Sequence, residues 1–303
     1  MPPVHVSPRQ PPDITCPLIA VAQPASDVSN LTLPSPAAVG ELTALERVNT
    51  GSARPIFRFA PGVLVKFAWD YDAEVRALQF IHGRLSVRTP RVLHHAPFLN
   101  AVVEPWDWVN SVWYFFMEEC PGVRLDTVID HMSSAGLDHI ADQLLVVLNE
   151  MRSFPTEALG PVTGGPYSNR FMAFPWQPPH AFLSTAEYLD YYRSIFLEMC
   201  GPEYVEGLFS HFPMDAQAHL THGDLLPHNI LVDGSKITAI IDWETAGHYP
   251  EFWEYCRMHD PGLVTPGWAH ILFRVFPGPR REKEINAVYR IVRHLHYNNA
   301  YCM

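Results

Sequence analysis

The apolar positions fall into two regimes along the chain. In the first third they come in short runs of strand length. Ile56 to Phe59 and Val63 to Phe67 are rich in branched and aromatic residues and flank Ala60-Pro61-Gly62, which predicts a β-hairpin. Arg91 to Ala96, Ala101 to Glu104 and Ser111 to Met117 read as further strand material. A helix interrupts them: Asp72 is placed to cap a helix from Ala73 to His82, with Val75, Leu78 and His82 on one side. Another short helix is expected over 39–46. After the polar break Glu118-Glu119-Cys120-Pro121-Gly122 the spacing turns helical. Leu137, Ile140, Leu144, Val147 or Leu148, and Met151 predict a buried helix from Gly136 to Phe154. Ser184 or Thr185 caps a helix reaching Met199, whose aromatic stripe (Tyr188, Tyr191, Tyr192, Phe196) serves either a packed core or a planar substrate. A last helix is expected from Arg281 to His296. No internal repeat is present.

This order predicts an α+β chain with a proline-rich N-terminal arm over 1–38, a small antiparallel β-rich lobe over 39–119 and a larger, mainly helical lobe over 120–303. The arm is rich in Pro, Ser, Val and Ala, so it cannot pair its backbone regularly. It either drapes on the body or serves as a proline-rich partner ligand.

One late stretch breaks the helical regime. Asn229 to Val232 and Ile237 to Ile241 are β-branched runs joined by Asp233-Gly234-Ser235-Lys236, the pattern of a second hairpin. Its ends are polar. Asp224 and Asn229 stand before the first strand and Asp242 follows the second, so closing the hairpin makes Asn229 and Asp242 neighbours. Two carboxylates and an amide in one small site suit oxygen ligation of magnesium and orientation of a hydroxyl. Lys66, a lone cation in an apolar strand, needs a partner. Glu74 on the next helix is either that partner or a solvated first-turn acid favoured by the helix dipole.

Composition narrows the classes. In 303 residues, 48% hydrophobic and 12% aromatic, the chain is globular rather than disordered. A formal net charge of -11 counts against a nucleic-acid partner. It fits either a solvated acidic surface or a cationic or neutral substrate. Five scattered cysteines form no CxxC pair, and the sixteen histidines have no partners at ligand spacing, so neither a disulfide framework nor a zinc site is expected. A reducing, cytoplasmic setting fits best. No apolar run is long enough to cross a membrane, and no signal-peptide pattern opens the chain. A monomer is expected.

Together these parts form a set: a strand lysine, a glutamate on the next helix, then His-Gly-Asp-Leu-Leu-Pro-His-Asn, then Asp242 eighteen positions after Asp224. The stretch THGDLLPHNILV followed by IIDWETAGHYPEFWEY resembles the aminoglycoside phosphotransferase (choline kinase-like) family within the protein-kinase-like fold, and most of all its fungal group. The resemblance runs from about Gly51 to Tyr255 and is dense over 220–255. It implies ATP and Mg2+ as cofactors and a small hydroxyl-bearing acceptor. Asp224 would be the catalytic base or hydroxyl-orienting carboxylate, with Asn229 and Asp242 as magnesium ligands. His222 would be a scaffold for the loop. Lys66 would contact the α- and β-phosphates and Glu74 would pair with it. Gly51 and Ser52 would cover the phosphates. The backbone from Met117 through Glu118 to Cys120 would be the hinge that meets adenine.

The chain departs from relatives in places. It lacks the glycine-rich loop of protein kinases, and Trp243 replaces their Phe-Gly. Glu251-Phe252-Trp253-Glu254 stands where many family members carry an aspartate. The stretch after Pro261 is short beside antibiotic-modifying members, which counts against a cationic sugar site. His228 reads as a loop residue. The reading is a small-molecule O-phosphotransferase. The alternative is a pseudokinase-type module that binds nucleotide or protein without turnover. A protein kinase is disfavoured by Gly223 after the histidine and by the missing activation segment between Asp242 and Pro250.

Overall fold

A computed structural model of the chain describes residues 45–49, 56–68, 73–97, 113–167, 169, 171–172 and 176–301. The proline-rich arm, Gly51, Ser52, the cap at Asp72 and the strand expected at 101–104 lie outside the described residues.

Strands β1 (Ile56–Ala60), β2 (Val63–Ala68), β3 (Val92–Pro97) and β4 (Trp113–Glu118) form an antiparallel sheet in the order β1-β2-β4-β3. Strand alternation divides the side chains between two layers. Val63, Val65, Tyr114 and Phe116 form one small core with Phe57. Phe115 and Met117 join Val75, Leu78 and Ile81 of helix α1 (Ala73–Ile81) in the main core. Lys66 lies on that second layer and is buried. Of the helix expected over 39–46, only Leu45 and Glu46 are among the described residues. Arg47 bridges Phe57, Val48 N–H donates to the Ile56 carbonyl and Arg58 N–H to that of Glu46. The open edge of β1 thus pairs residues 46–48 as an extended chain and satisfies their backbone groups.

The polar break follows β4 directly. Gly122 there has φ +121, and a Cβ on it would sit 2.4 Å from Thr238 Oγ1. Strand β5 (Val123–Arg124) then pairs with a hairpin, described below. Helix α2 (Ser134–Arg152) starts on Ser133, whose hydroxyl accepts from Gly136 N–H. Strand β6 (Gly160–Pro161), helix α3 (Thr185–Met199, capped by Ser184) and helix α4 (Pro202–Phe209) come next. Strand β7 (Ala218–Thr221) precedes the hairpin of β8 (Ile230–Asp233) and β9 (Lys236–Ile240), which turns at Gly234 with φ +57. Strand β10 (Gly247–Pro250) completes a sheet β6-β10-β7, and β5-β8-β9 form another. Helices α5 (Phe252–Met258), α6 (Pro266–Val275) and α7 (Glu282–Tyr301) close the chain.

Two cores support this half. α2 and α6 share the main one through Ile140, Leu144, Ile271 and Leu272. The second is aromatic. Tyr188, Tyr192 and Phe196 of α3 are fully buried in it with Tyr249 and Trp253, so the stripe on α3 is core rather than a substrate shelf. Tyr249 and Trp253 stack at 5.5 Å and 10°, a contact contributing about 1 kcal/mol beyond area burial. That stack fixes α5 against β10, and α5 carries two side chains that reach the site.

Candidate active site

The hairpin brings its polar ends together. Ile241 N–H donates to the Asn229 carbonyl at 2.9 Å, so the residues flanking β8 and β9 are neighbours. Asp242 follows with φ 65, the left-handed region that aspartate tolerates and most residues avoid. This conformation turns the chain back toward the first lobe. There Lys66 Nζ lies 2.5 Å from Asp242 Oδ1 and 2.7 Å from Glu74 Oε2. Lys66 and Glu74 are 4% and 5% exposed. Glu74 is therefore the partner of Lys66, not a solvated acid.

Glu244 joins this cluster: one oxygen each of Glu74, Asp242 and Glu244 lie within 4.8 Å of one another. Burial lowers the Lys66 ammonium, but the carboxylates of Glu74, Asp242 and Glu244 outweigh it and raise the group above its ordinary value. Burial pushes the Glu74 carboxyl up, Lys66 pulls it down, and Asp242 and Glu244 push it up further. Three carboxylates around one ammonium leave negative charge in excess, an arrangement that suits a divalent cation. Asn229, a neighbour of Asp242 across the hairpin, carries a neutral oxygen donor. Its Nδ2 donates to the Asp224 carbonyl at 2.9 Å and to Asp224 Oδ2 at 3.2 Å, so the amide oxygen points the other way. Oxygen-only donors of this kind fit magnesium.

The loop between β7 and β8 holds Asp224, 4% exposed. His222 stabilises the loop from within. Its Nδ1 accepts from Asp224 N–H at 3.2 Å and its Nε2 faces the Ile241 carbonyl at 3.0 Å. That pair of contacts sets the neutral tautomer with the proton on Nε2 and commits both ring nitrogens to backbone. Gly223 has φ +81, and a Cβ would sit 2.9 Å from Thr245 Oγ1. Both facts explain glycine after the histidine.

Two residues absent from the expected set hold the loop from α5. Glu254 accepts from His222 N–H at 2.5 Å and from Gly223 N–H at 3.3 Å. Burial pushes its carboxyl up to about 7, against the backbone donors of His222, Gly223 and Leu225 and the charge of Arg257. Arg257 Nη2 donates to Asp224 Oδ1 at 2.8 Å. The only sequence signal was that Glu254 stood near the place where many relatives keep an aspartate. For Arg257 there was none.

The segment expected to be the hinge lies at the end of β4. Glu118 N–H donates to the Arg91 carbonyl at 3.0 Å and Glu119 N–H to that of Gly62 at 2.9 Å. The Glu118 carboxylate is paired with Arg88. Cys120 is half-buried, and burial pushes its thiol up to about 12. His228 Nε2 lies 3.5 Å from Asp224 Oδ2. A cavity of about 210 Å³ borders Glu244 and is lined also by Ala73, Arg76, Asn169 and Gln177. A roomier one of about 670 Å³, between the β8–β9 turn and the start of α2, shares no residue with the site.

Residues 44–285 match the profile of the phosphotransferase enzyme family. The chain belongs to that family. Among solved structures, a thermostable mutant of aminoglycoside phosphotransferase APH(4)-Ia in its apo form is 15% identical, with 88% of this chain and 93% of that chain covered and a TM-score of 0.59. The GDP complex of wild-type aminoglycoside 2'-phosphotransferase-IIIa is 14% identical, covering 84% of this chain and 86% of that one, with a TM-score of 0.57. The streptomycin-ATP-APH(2")-IIa ternary complex is 11% identical, covering 86% and 89%, with a TM-score of 0.57. No curated protein matches the chain. The family and these neighbours establish the two-lobed, protein-kinase-like α+β fold. Among the described residues of this phosphotransferase-family chain, no helix is long and apolar enough to cross a membrane.

Proposed function

We propose that the chain is an ATP- and magnesium-dependent phosphotransferase that moves the γ-phosphoryl group to a hydroxyl of a small molecule. One observation carries the reading. Lys66 and Asp242, 176 positions apart and on different lobes, meet in one cluster with Glu74, in which Lys66 and Glu74 are buried. A scaffold alone has no reason to bury a cation among carboxylates at the junction of two lobes.

In this reading residues 39–119 bind nucleotide and 120–303 carry catalysis and the acceptor. The Lys66 ammonium contacts the α- and β-phosphates while Glu74 holds it in place. With the Glu118 and Glu119 amides committed to carbonyls, the Cys120 backbone is the hinge group offered to adenine. Gly51 and Ser52 cover the phosphates. Asn229 and Asp242 would hold magnesium, which when bound neutralises charge on the transferring phosphate. Asp224 accepts the acceptor's hydroxyl hydrogen bond and orients that oxygen in line with the γ-phosphorus. His222 keeps the loop in shape and transfers no proton in the reaction. A reducing, cytoplasmic setting is part of this reading.

The test has two stages. Thermal melting with ATP, with and without magnesium, reads binding. ADP release across a panel of amino alcohols, hexoses and aminoglycosides reads transfer. Asp224→Ala should keep the ATP-dependent shift and lose about 10³-fold in turnover. ATP binding with no ADP release from any acceptor would favour the pseudokinase alternative.

A further inference from the structure

Arg257 plays no part in the phosphoryl-transfer chemistry just assigned, yet it grips the residue at its centre. It lies one turn after Glu254 on α5 and is 5% exposed. Its fork is fully directed. Nη2 donates to Asp224 Oδ1 at 2.8 Å, Nε to the Gly223 carbonyl at 3.1 Å and Nη1 to Asp260 Oδ2 at 2.9 Å. Asp260 cannot swing away, because its Oδ1 accepts from Gly262 N–H at 2.9 Å. The ring of Phe171 lies 5.5 Å from the guanidinium carbon. Arg257 is thus clamped between two carboxylates and under an aromatic face.

A buried ion pair of this kind is weak evidence for stability, since desolvation offsets much of the attraction. What a planar fork supplies is direction. Two of its bonds go to consecutive residues of the loop, one to backbone and one to side chain. They fix the Asp224 carboxylate relative to its own peptide. With Oδ1 held by Arg257, Oδ2 lies on the side of Asn229 and the half-exposed His228.

We propose that Arg257 is a positioning residue for transfer: it fixes the Asp224 carboxylate so that Oδ2 is the oxygen presented to the acceptor hydroxyl. This rests on the phosphotransferase reading above. Lysine keeps the charge, but its single nitrogen cannot span Gly223, Asp224 and Asp260 in one plane. Loss of the fork misplaces the carboxylate without touching the nucleotide side.

The experiment compares wild type, Arg257→Lys and Arg257→Ala in ADP release, with an acceptor from the panel or with water as acceptor. Thermal melting with ADP and magnesium runs alongside. Both variants should lose about 100-fold in kcat, with KM for ATP changed less than about twofold and the ADP-dependent shift intact. Methylguanidinium chloride should restore part of the Arg257→Ala rate, and sodium chloride at the same concentration should not. If Arg257→Ala does not fold, Arg257→Lys decides alone. A lysine variant matching wild type in kcat overturns the inference and leaves the phosphotransferase reading standing. Equal loss of kcat and of ADP binding also overturns it, because the role is then structural. A wild type that binds ATP but transfers to neither panel nor water overturns the phosphotransferase reading and this inference with it.

Discussion

Lys66 and Glu74 make a quantitative prediction because the two charges are not equivalent. Lys66 Nζ lies 2.7 Å from Glu74 and 2.5 Å from Asp242. At an effective dielectric of about 20, each contact contributes roughly 6 kcal/mol of gross attraction. Burying the ammonium costs several kcal/mol against that sum. Lys66→Met removes both attractions and leaves Glu74 buried among carboxylates, so a loss of about 3–5 kcal/mol follows. Glu74→Gln removes one attraction only. It also relieves repulsion with Asp242 and Glu244, roughly 3 kcal/mol at the limiting separation within the cluster, and the desolvation of Glu74 itself. Asp242 still pairs with Lys66, although its side chain is 31% exposed and that pair is partly screened. The net cost of Glu74→Gln is therefore about 1 kcal/mol.

The double variant Lys66→Met with Glu74→Gln should recover about 2 kcal/mol relative to the sum of the single changes, since no uncompensated charge remains on the pair. Urea unfolding followed by tryptophan fluorescence, in EDTA to keep metal from the carboxylates, measures all three. The reasoning fails if Glu74→Gln costs as much as Lys66→Met. It fails too if the two changes add within about 0.5 kcal/mol, the range expected of independent sites.

Further outcomes follow from the same geometry. Gly223→Ala should cost about 2 kcal/mol or more, from its φ of +81 and the 2.9 Å approach to Thr245. Thr245→Ala in that background should return little, because the backbone conformation stays; urea midpoints read both. Asp242→Asn and Asn229→Ala should each abolish the magnesium dependence of the ADP-induced melting shift while a magnesium-free shift persists. Glu254, pushed up to about 7 by burial, binds a proton in the folded chain at pH values where the unfolded chain has released it. Stability should therefore fall as pH rises from about 4.5 to 7, by on the order of 3 kcal/mol from this group. Comparing the slope of unfolding free energy with pH in wild type and Glu254→Gln checks it, and equal slopes would refute it.

What was legible in the sequence was local or ordered along the chain. The Asn229–Asp242 hairpin is read from two β-branched runs and a glycine turn, which act over thirteen residues. The Lys66–Glu74 pair follows from the order strand, then helix, with a cation that needs a partner. The pairing of residues 46–48 with β1 was not legible, because its partner, an open sheet edge, leaves no mark in the segment itself. α6 carried a readable start, Thr265 before Pro266 with Trp268, Ile271, Leu272 and Val275 at helical spacing, and the Thr265 hydroxyl does accept from Trp268 N–H. β6, β7 and β10 are too short for alternation to show. Arg257 and Glu254 were out of reach for another reason. α5 has seven residues, its pattern is set by aromatic packing, and its two charges point at a loop more than thirty positions earlier. Only the closed fold supplies that pairing.

The bonds around the site divide along the lobes. The described side-chain hydrogen bonds and ion pairs to Asp224 come from Asn229, His228 and Arg257, all in the second lobe. The frame of His222, Glu254 and Thr245 that shapes its loop belongs there too. Between the lobes, Lys66 reaches across to Asp242. On the proposed reading, acceptor orientation is set within one lobe and phosphate placement between two. Separating the lobes would break the Lys66–Asp242 contact and leave every one of those bonds to Asp224 intact. Nucleotide then governs the junction, and the acceptor meets a carboxylate already in place whether or not ATP is bound.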